Sequence, residues 1–467
     1  MADDLFKENA SIINVGVTAF GDAVASQGGK MGQVDWKPPL DAQLAELIAN
    51  PEINAKIDAA NTKALDFILK GNVEWVGMKR VGDVVPGMKK NYVLHSGPPI
   101  KWEDMGALSR KGTIGGVLHE KLAKDETEAV AKIERGEIEL FSAYDFDCIG
   151  AGAGIVTYSM ATNVCRDTNT GKQGYSVPFE GRDGLSVWGM YNESVEANLQ
   201  VIENKFAPAV DYLLQNYGGI NINSILAKAL QMNDEIHTRQ TAASLILVNE
   251  IAPKFMQSDL DKDTIRLCIE TLCSSERWFH PLGMASAMAM LKSIQGIDYC
   301  TIVTMNCSNG VQNGIKLGAT GPQWFCADAP IFFGQYFSSE WGPEDASPAA
   351  GDSTVCEVVG LGGFAAAAAP AVLRLRNGGY REAIEQSEEM KQICFTINTN
   401  YQIPLLDFSG PPTGIDARKV VETGIQPICH SGIISKSGGQ IGAGAGRYPT
   451  ANYVEAMRAF YKKYGLL

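Results

Sequence analysis

Residues 12–39 read IINVGVTAFGDAVASQGGKMGQVDWKPP, and this stretch decides the class of fold. Ile12 to Val17 is a β-branched run interrupted by one glycine, which suits a buried strand. Ala19 to Gln27 suits a helix, the glycines that follow turn the chain, and Gln33 to Trp36 suits a second short strand. Pro38-Pro39 then ends it, because proline cannot donate to a ladder. Strand, helix and strand in so short a span are the opening of a Rossmann-like layer. No G-x-G-x-x-G stands between strand and helix, which disfavours a dinucleotide site and with it an NAD-dependent dehydrogenase.

Outward from this opening, 467 residues exceed what one ordinary core organises, so several domains are expected. The texture divides them at 1–95 (Rossmann-like), 96–219 (the first part of an α+β region), 220–290 (all-helical) and 291–467 (α+β with glycine loops). Residues 40–70 and 108–137 have helical spacing, and Val73 to Val81 reads as a strand. Pro and Gly punctuate VVPGMKKNYVLHSGPPIKWEDM twice, which marks a boundary. The fold class that results is multidomain α/β and α+β, with a small all-helical subdomain.

The 53 acidic side chains outnumber the 40 basic ones, a formal charge of -13, which argues against nucleic-acid or anionic-membrane partners. The amino terminus lacks the basic and apolar regions of a secretory leader, and no window is long and apolar enough to span a bilayer. A cytoplasmic protein is expected. The ten cysteines are scattered with no C-x-x-C pair, so they read as buried hydrophobes rather than a disulfide or zinc framework.

Four constellations could carry chemistry. QMNDEIHTRQTA (231–242) puts Asp234 three residues before His237 and Glu235 four before Arg239. On a helix these are either two surface pairs or an Asp orienting an imidazole beside an anion-binding Arg. His237 is one of five histidines, and imidazole is the side chain best suited to proton transfer near neutral pH. Gly351-Asp352-Ser353-Thr354, with Glu357 and Gly360-Leu361-Gly362-Gly363, is either an anion-binding turn with an acid as base or metal anchor, or close packing before an Ala-rich segment. The loops around Asn309-Gly310 and Arg447 could expose N–H donors and a cation. His95 sits before a Pro-Pro bend, either in a rigid cleft or bonded to a turn carbonyl.

Taken together, six collinear blocks resemble the YlbE-like family of bacterial cytoplasmic proteins. They are the opening stretch, VVPGMKKNYVLHSGPPIKWEDM, MNDEIHTRQTA, NGVQNGIKLGATGPQWF, GDSTVCEVVGLGGFAAAAAPAV and IPLLDFSGPPTGIDARKVVETGIQPI. The resemblance implies a subunit of a carbamoyltransferase-type complex in anaerobic purine and allantoin nitrogen breakdown. That complex converts oxalurate and phosphate to oxamate and carbamoyl phosphate. It also implies an FdrA-like partner related to acyl-CoA synthetases, with a third subunit and self-assembly left open. Two departures stand out. Tyr144-Asp145-Phe146 occupies a run where relatives carry histidine, and Gln240 replaces an Asn.

Such a transfer needs cations for carboxylate and phosphate, donors for an oxyanion and a proton donor for the leaving amide. The assignment expected is His237 with Asp234 and Glu235 for catalysis, and Arg239, Asn309, Gly310, Asp352, Ser353, Gly362, Gly363, His95 and Arg447 for substrate or anion. Phosphate or carbamoyl phosphate is the co-substrate; no organic cofactor is implied, and a divalent metal at Asp352 and Glu357 stays open. The alternative is a noncatalytic scaffold that binds and positions the FdrA-like subunit.

Overall fold

The computed structural model describes residues 11–34, 38–181 and 184–467. The opening stretch forms β1 (Ser11–Val15), α1 (Thr18–Ser26) and β2 (Lys30–Val34), with β1 and β2 paired in parallel as a βαβ unit requires. The strand expected to reach Trp36 runs out of the described residues after Val34. Among the described residues this sheet has two strands. The next strand in sequence, β3 (Val73–Arg80), joins a different, five-stranded sheet, where it runs antiparallel to Ala161–Asp167.

The molecule is a mixed α/β assembly of several sheets and many helices. Besides the five-stranded sheet it holds a four-stranded antiparallel sheet centred on Val303–Asn309 and Gln312–Leu317, and a three-stranded one formed by Phe333–Tyr336, Gln440–Arg447 and Ile428–Ile434. A parallel pair, Tyr92–His95 with Glu139–Ser142, is bridged by helices Ala107–His119 and Glu126–Glu134. One apolar cluster runs from Leu44 to Tyr461, so its parts come from most of the sequence.

Residues 222–291 hold four helices: Ile222–Gln231, Thr241–Gln257, Lys262–Cys273 and Phe279–Leu291. The last, FHPLGMASAMAML, is apolar all round because all of it is buried. It lies against Ala161–Asp167 and Gln173–Ser176. Gly174 permits this approach, since a Cβ there would stand 2.2 Å from the Ala285 carbonyl oxygen. Among the described residues no helix is long and apolar enough to cross a membrane.

The stretch 232–240, expected to be helical, is a loop between helices Ile222–Gln231 and Thr241–Gln257. Asn233 and Ile236 take left-handed φ of 69° and 73°, which breaks the helical path. The polar side chains cause the break, by offering the backbone partners that a helix would otherwise supply. Glu235 accepts from the N–H groups of His237 (3.2 Å), Thr238 (2.5 Å) and Arg239 (2.8 Å). Asp234 accepts from Ala243 N–H at 2.8 Å and so caps the following helix in place of Gln240. A left-handed β-branched residue costs of order 1–3 kcal/mol, and such strain clusters at functional sites.

Candidate active site

This strained loop delivers His237 to a carboxylate from far along the chain. His237 Nδ1 lies 2.8 and 2.9 Å from the two oxygens of Glu357, and both side chains are buried. With a carboxylate as partner Nδ1 carries the hydrogen and donates it, so that in the neutral ring the lone pair lies on Nε2. Glu357 is itself fixed by the N–H groups of Gly363 (2.9 Å) and His430 (3.3 Å). Gly362 has φ +57°, and a Cβ on it would fall 2.2 Å from Glu357 Oε1. Only glycine lets the chain pass this close to the dyad.

His237 lines a small chamber of about 40 Å³, together with Gly152, Thr238, Arg277, His280 and Ser353. Its Nε2, the Thr238 hydroxyl and His280 Nε2 are all buried without a partner among the described residues. Phe179, Val187, Trp188, Arg277 and Gln440 also line a cleft of about 980 Å³, so the small chamber opens into a large vestibule. A concave space with a few converging polar groups, next to a larger cleft of mixed polar and apolar lining, is a form that small-molecule sites take.

The electrostatics separate three histidines. Burial works to lower the pKa of His237, but the charge and hydrogen bond of Glu357, with the charge of Glu235, outweigh it and raise the pKa. His280, its ring centroid 5.3 Å away, is held well below the usual range by burial and then by the positive fields of His237 and Arg277. His430 is pushed down to about 3 by burial, followed by His237 and Arg376. Burial pushes Glu235 up to about 7. Glu357 thus favours the charged ring of His237, whereas burial favours the neutral rings of His280 and His430.

His237, Glu357 and Cys429 also form the group, among the described residues, whose donor atoms lie within 4.8 Å of one another as a metal site needs. An ion held at Nδ1 would take the place of the hydrogen shared with Glu357. Asp352, expected as the other anchor for such an ion, serves different loops. It accepts from Gly97 N–H at 2.7 Å and Gly150 N–H at 3.1 Å, and burial pushes it up to about 7.

The remaining expected residues divide by place. Ser353 lines the chamber. Asp234 does not orient His237, since it caps a helix and pairs with Arg239 at 3.5 Å, and Arg239 is absent from the described lining. Gly362 and Gly363 spend their N–H groups on the Glu235 carbonyl and on Glu357, so they shape the dyad rather than face the chamber. Asn309 holds its own turn by accepting from Val311 and Gln312 N–H groups, next to Gly310 at φ 89°. His95 pairs through Nδ1 with the Ser96 carbonyl at 2.8 Å, the turn-carbonyl reading, and burial lowers its pKa. Arg447 pairs with Glu389 at 2.6 Å, away from the chamber lining. Of the departures, Gln240 donates to the His237 carbonyl, whereas Tyr144 and Asp145 build a separate cluster in which Asp145 pairs with Lys316 at 2.5 Å.

Sequence reasoning missed the pairing of His237 with Glu357, 120 residues apart, and the parts played by Arg277, Thr238, His280 and His430. Histidine scarcity was the available signal, because three of the five in the chain converge here.

A family model described as oxamate carbamoyltransferase subunit AllG matches residues 138–353. The chain is 33% identical to the uncharacterized protein YahG of Escherichia coli (strain K12) over 473 aligned positions, covering 100% of both. It is 32% identical to the oxamate carbamoyltransferase subunit AllG of the same organism over 412 positions, 87% of this chain and 98% of that one. A crystal structure of a conserved protein of unknown function from Enterococcus faecalis V583 superposes with a TM-score of 0.85 at 32% identity, covering 88% of this chain and 99% of that chain. By identity and by coverage, the chain belongs to the family of the oxamate carbamoyltransferase subunit AllG.

Proposed function

We propose that this chain is the subunit of a carbamoyltransferase complex that carries the reacting imidazole, acting between oxalurate with phosphate and oxamate with carbamoyl phosphate in allantoin nitrogen breakdown. The observation that carries the reading is His237, its Nδ1 bonded to Glu357 and its Nε2 without a partner among the described residues on a small chamber. Arg277, shared by chamber and vestibule, takes the carboxylate or phosphate in place of Arg239. The Thr238 hydroxyl, buried and unpaired, donates to the oxyanion that forms on the carbamoyl carbon. His237 moves the proton between attacking and departing groups. An FdrA-like subunit, and a third, complete the complex; the cytoplasm is its compartment.

Calorimetry on the isolated chain tests this. Oxamate, oxalurate and carbamoyl phosphate are titrated into wild type, Arg277→Ala and Arg239→Ala. Saturable heat that disappears with Arg277→Ala and persists with Arg239→Ala is expected. Heat that appears only after a partner subunit is added, and is indifferent to Arg277→Ala, would favour a scaffold instead.

A further inference from the structure

We propose that His237 Nδ1, Glu357 and Cys429 Sγ form a site for one thiophilic divalent cation of the zinc class, and that the bound ion silences the imidazole. The silencing rests on the carbamoyltransferase reading above; the binding does not.

Geometry comes first. Nδ1 lies 2.8 and 2.9 Å from the two Glu357 oxygens and 3.8 Å from Cys429 Sγ, and the donor atoms all fall within 4.8 Å of one another. Zinc holds nitrogen, oxygen and sulfur at about 2.0–2.3 Å, so its ligand atoms stand about 3.3–3.8 Å apart around a tetrahedron. The sulfur already has that spacing from Nδ1, and the carboxylate has to withdraw by only about half an ångström. The surroundings orient the donors as a metal site requires. Glu357 Oε1 accepts from the N–H groups of Gly363 at 2.9 Å and His430 at 3.3 Å, which leaves Oε2 for the ion. Behind the sulfur, the Thr354 hydroxyl lies 3.9 Å from Sγ and is bonded to the Tyr448 hydroxyl at 2.7 Å, a chain of O–H groups able to donate to a thiolate.

Charge and softness set the class of ion. All three ligands are buried, and a carboxylate, a thiolate and a neutral imidazole together bring two negative charges, which one divalent cation cancels. Binding displaces the Nδ1 hydrogen and the thiol hydrogen, which the thiol otherwise donates to the His430 carbonyl at 3.4 Å; both leave as protons to solvent. No oxidant or reductant enters. Magnesium and calcium prefer oxygen donors throughout, whereas a set of one nitrogen, one oxygen and one sulfur suits zinc and its neighbours.

The consequence for His237 follows from its two nitrogens. A neutral imidazole metallated at Nδ1 keeps its hydrogen on Nε2, so the nitrogen that faces the chamber has no lone pair with which to accept a proton. Without the ion, Glu357 holds the hydrogen on Nδ1 and the neutral ring keeps that lone pair. Glu357 and Cys429 are absent from the described lining, so the ion sits across the ring from the substrate and leaves the chamber open. Loss of kcat with KM unchanged is therefore the signature of this site.

The test uses the full chain, stripped with a chelator, and the complex assembled from it. Zn²⁺ alone is titrated into the chain against a chromophoric chelator, Co²⁺ is added to a parallel sample to record its absorption spectrum, and turnover is measured with free Zn²⁺ fixed by a metal buffer. One zinc per chain, a thiolate-to-cobalt charge-transfer band and a fall in kcat at unchanged KM are expected. Cys429→Ser should weaken zinc by more than the roughly 10–100-fold that loss of a supporting partner costs, and should abolish the band. Whatever turnover that variant retains should be insensitive to zinc that silences wild type, whereas Cys273→Ser, at an exposed thiol, should respond as wild type does. No zinc uptake, or a cobalt spectrum without the sulfur band, overturns the site and leaves the carbamoyltransferase reading standing. A rise in KM puts the ion in the chamber and overturns the assignment as well, and activation by zinc overturns the silencing. Zinc bound through Cys429 with turnover unchanged supports the site but sinks the proton-transfer role of Nε2. A complex without turnover at any zinc level sinks the carbamoyltransferase reading, while the titration still decides the site. Should Cys429→Ser fail to fold, X-ray absorption of zinc-loaded wild type decides alone: one sulfur bound to the zinc supports the site, and none overturns it.

Discussion

Glu357 sets which nitrogen of His237 works. Replacing it with glutamine keeps the volume but lets an amide NH₂ face Nδ1, which favours the tautomer with hydrogen on Nε2 and removes the lone pair from the chamber. Glu357→Gln is expected to lower kcat by roughly 10²–10⁴-fold with an unchanged circular dichroism spectrum; near wild-type kcat would assign the dyad a structural role only. A second histidine makes an independent prediction. His119 bonds Glu196 at 2.8 Å and Glu203 at 2.9 Å, and although burial opposes it, these two acids raise its pKa to about 9. A raised pKa means stability that is fully present below the unfolded value of 6.5 and lost as pH rises through about 9. The shift corresponds to a contribution on the order of 3 kcal/mol. Tm should therefore fall between pH 7 and 10 more steeply in wild type than in His119→Gln, and parallel curves would contradict the triad.

At the scale of the element, the loop 232–240 is where pattern and structure part. Helical spacing there was real, but Asp234 and Glu235 sit where their carboxylates reach backbone N–H groups of the same stretch, and that local competition is invisible to a periodicity argument. Glu235→Gln replaces an acceptor of three N–H groups by one that brings donors of its own. Amides of residues 236–240 are expected to exchange hydrogen at least about tenfold faster in it, while the helix Phe279–Leu291 stays protected. Equal protection in the loop would show that Glu235 does not hold it. The buried helix tests packing in the same way. Gly174→Ala places a methyl 2.2 Å from the Ala285 carbonyl oxygen and should cost about 1–3 kcal/mol in denaturant unfolding.

Over the whole molecule, what was legible in sequence was local. The βαβ opening, the helices after residue 40, β3 and the helical stretch near 222–291 follow from hydrophobic period and from glycine and proline punctuation. Sheet membership was not legible, because β3 pairs with strands far along the chain rather than extending the opening layer. The candidate chamber was half legible: His237 and Glu357 were both singled out, yet nothing in their spacing says that a chain reversal brings them to 2.8 Å. Six collinear blocks pointed to a carbamoyltransferase subunit under the YlbE-like name, and the matching family model carries the name AllG. The apolar strand residues Ile13 and Val15 and helix residue Phe20 of the opening unit are exposed, so the face expected to be buried is open in the single chain. The central claim, that this subunit carries the reacting imidazole, is tested most directly by the rate of carbamoyl phosphate formation from oxalurate and phosphate in complexes containing wild type or His237→Ala. The account predicts a loss of roughly 10²–10⁴-fold with assembly unchanged; a His237→Ala complex that turns over at the wild-type rate would contradict it.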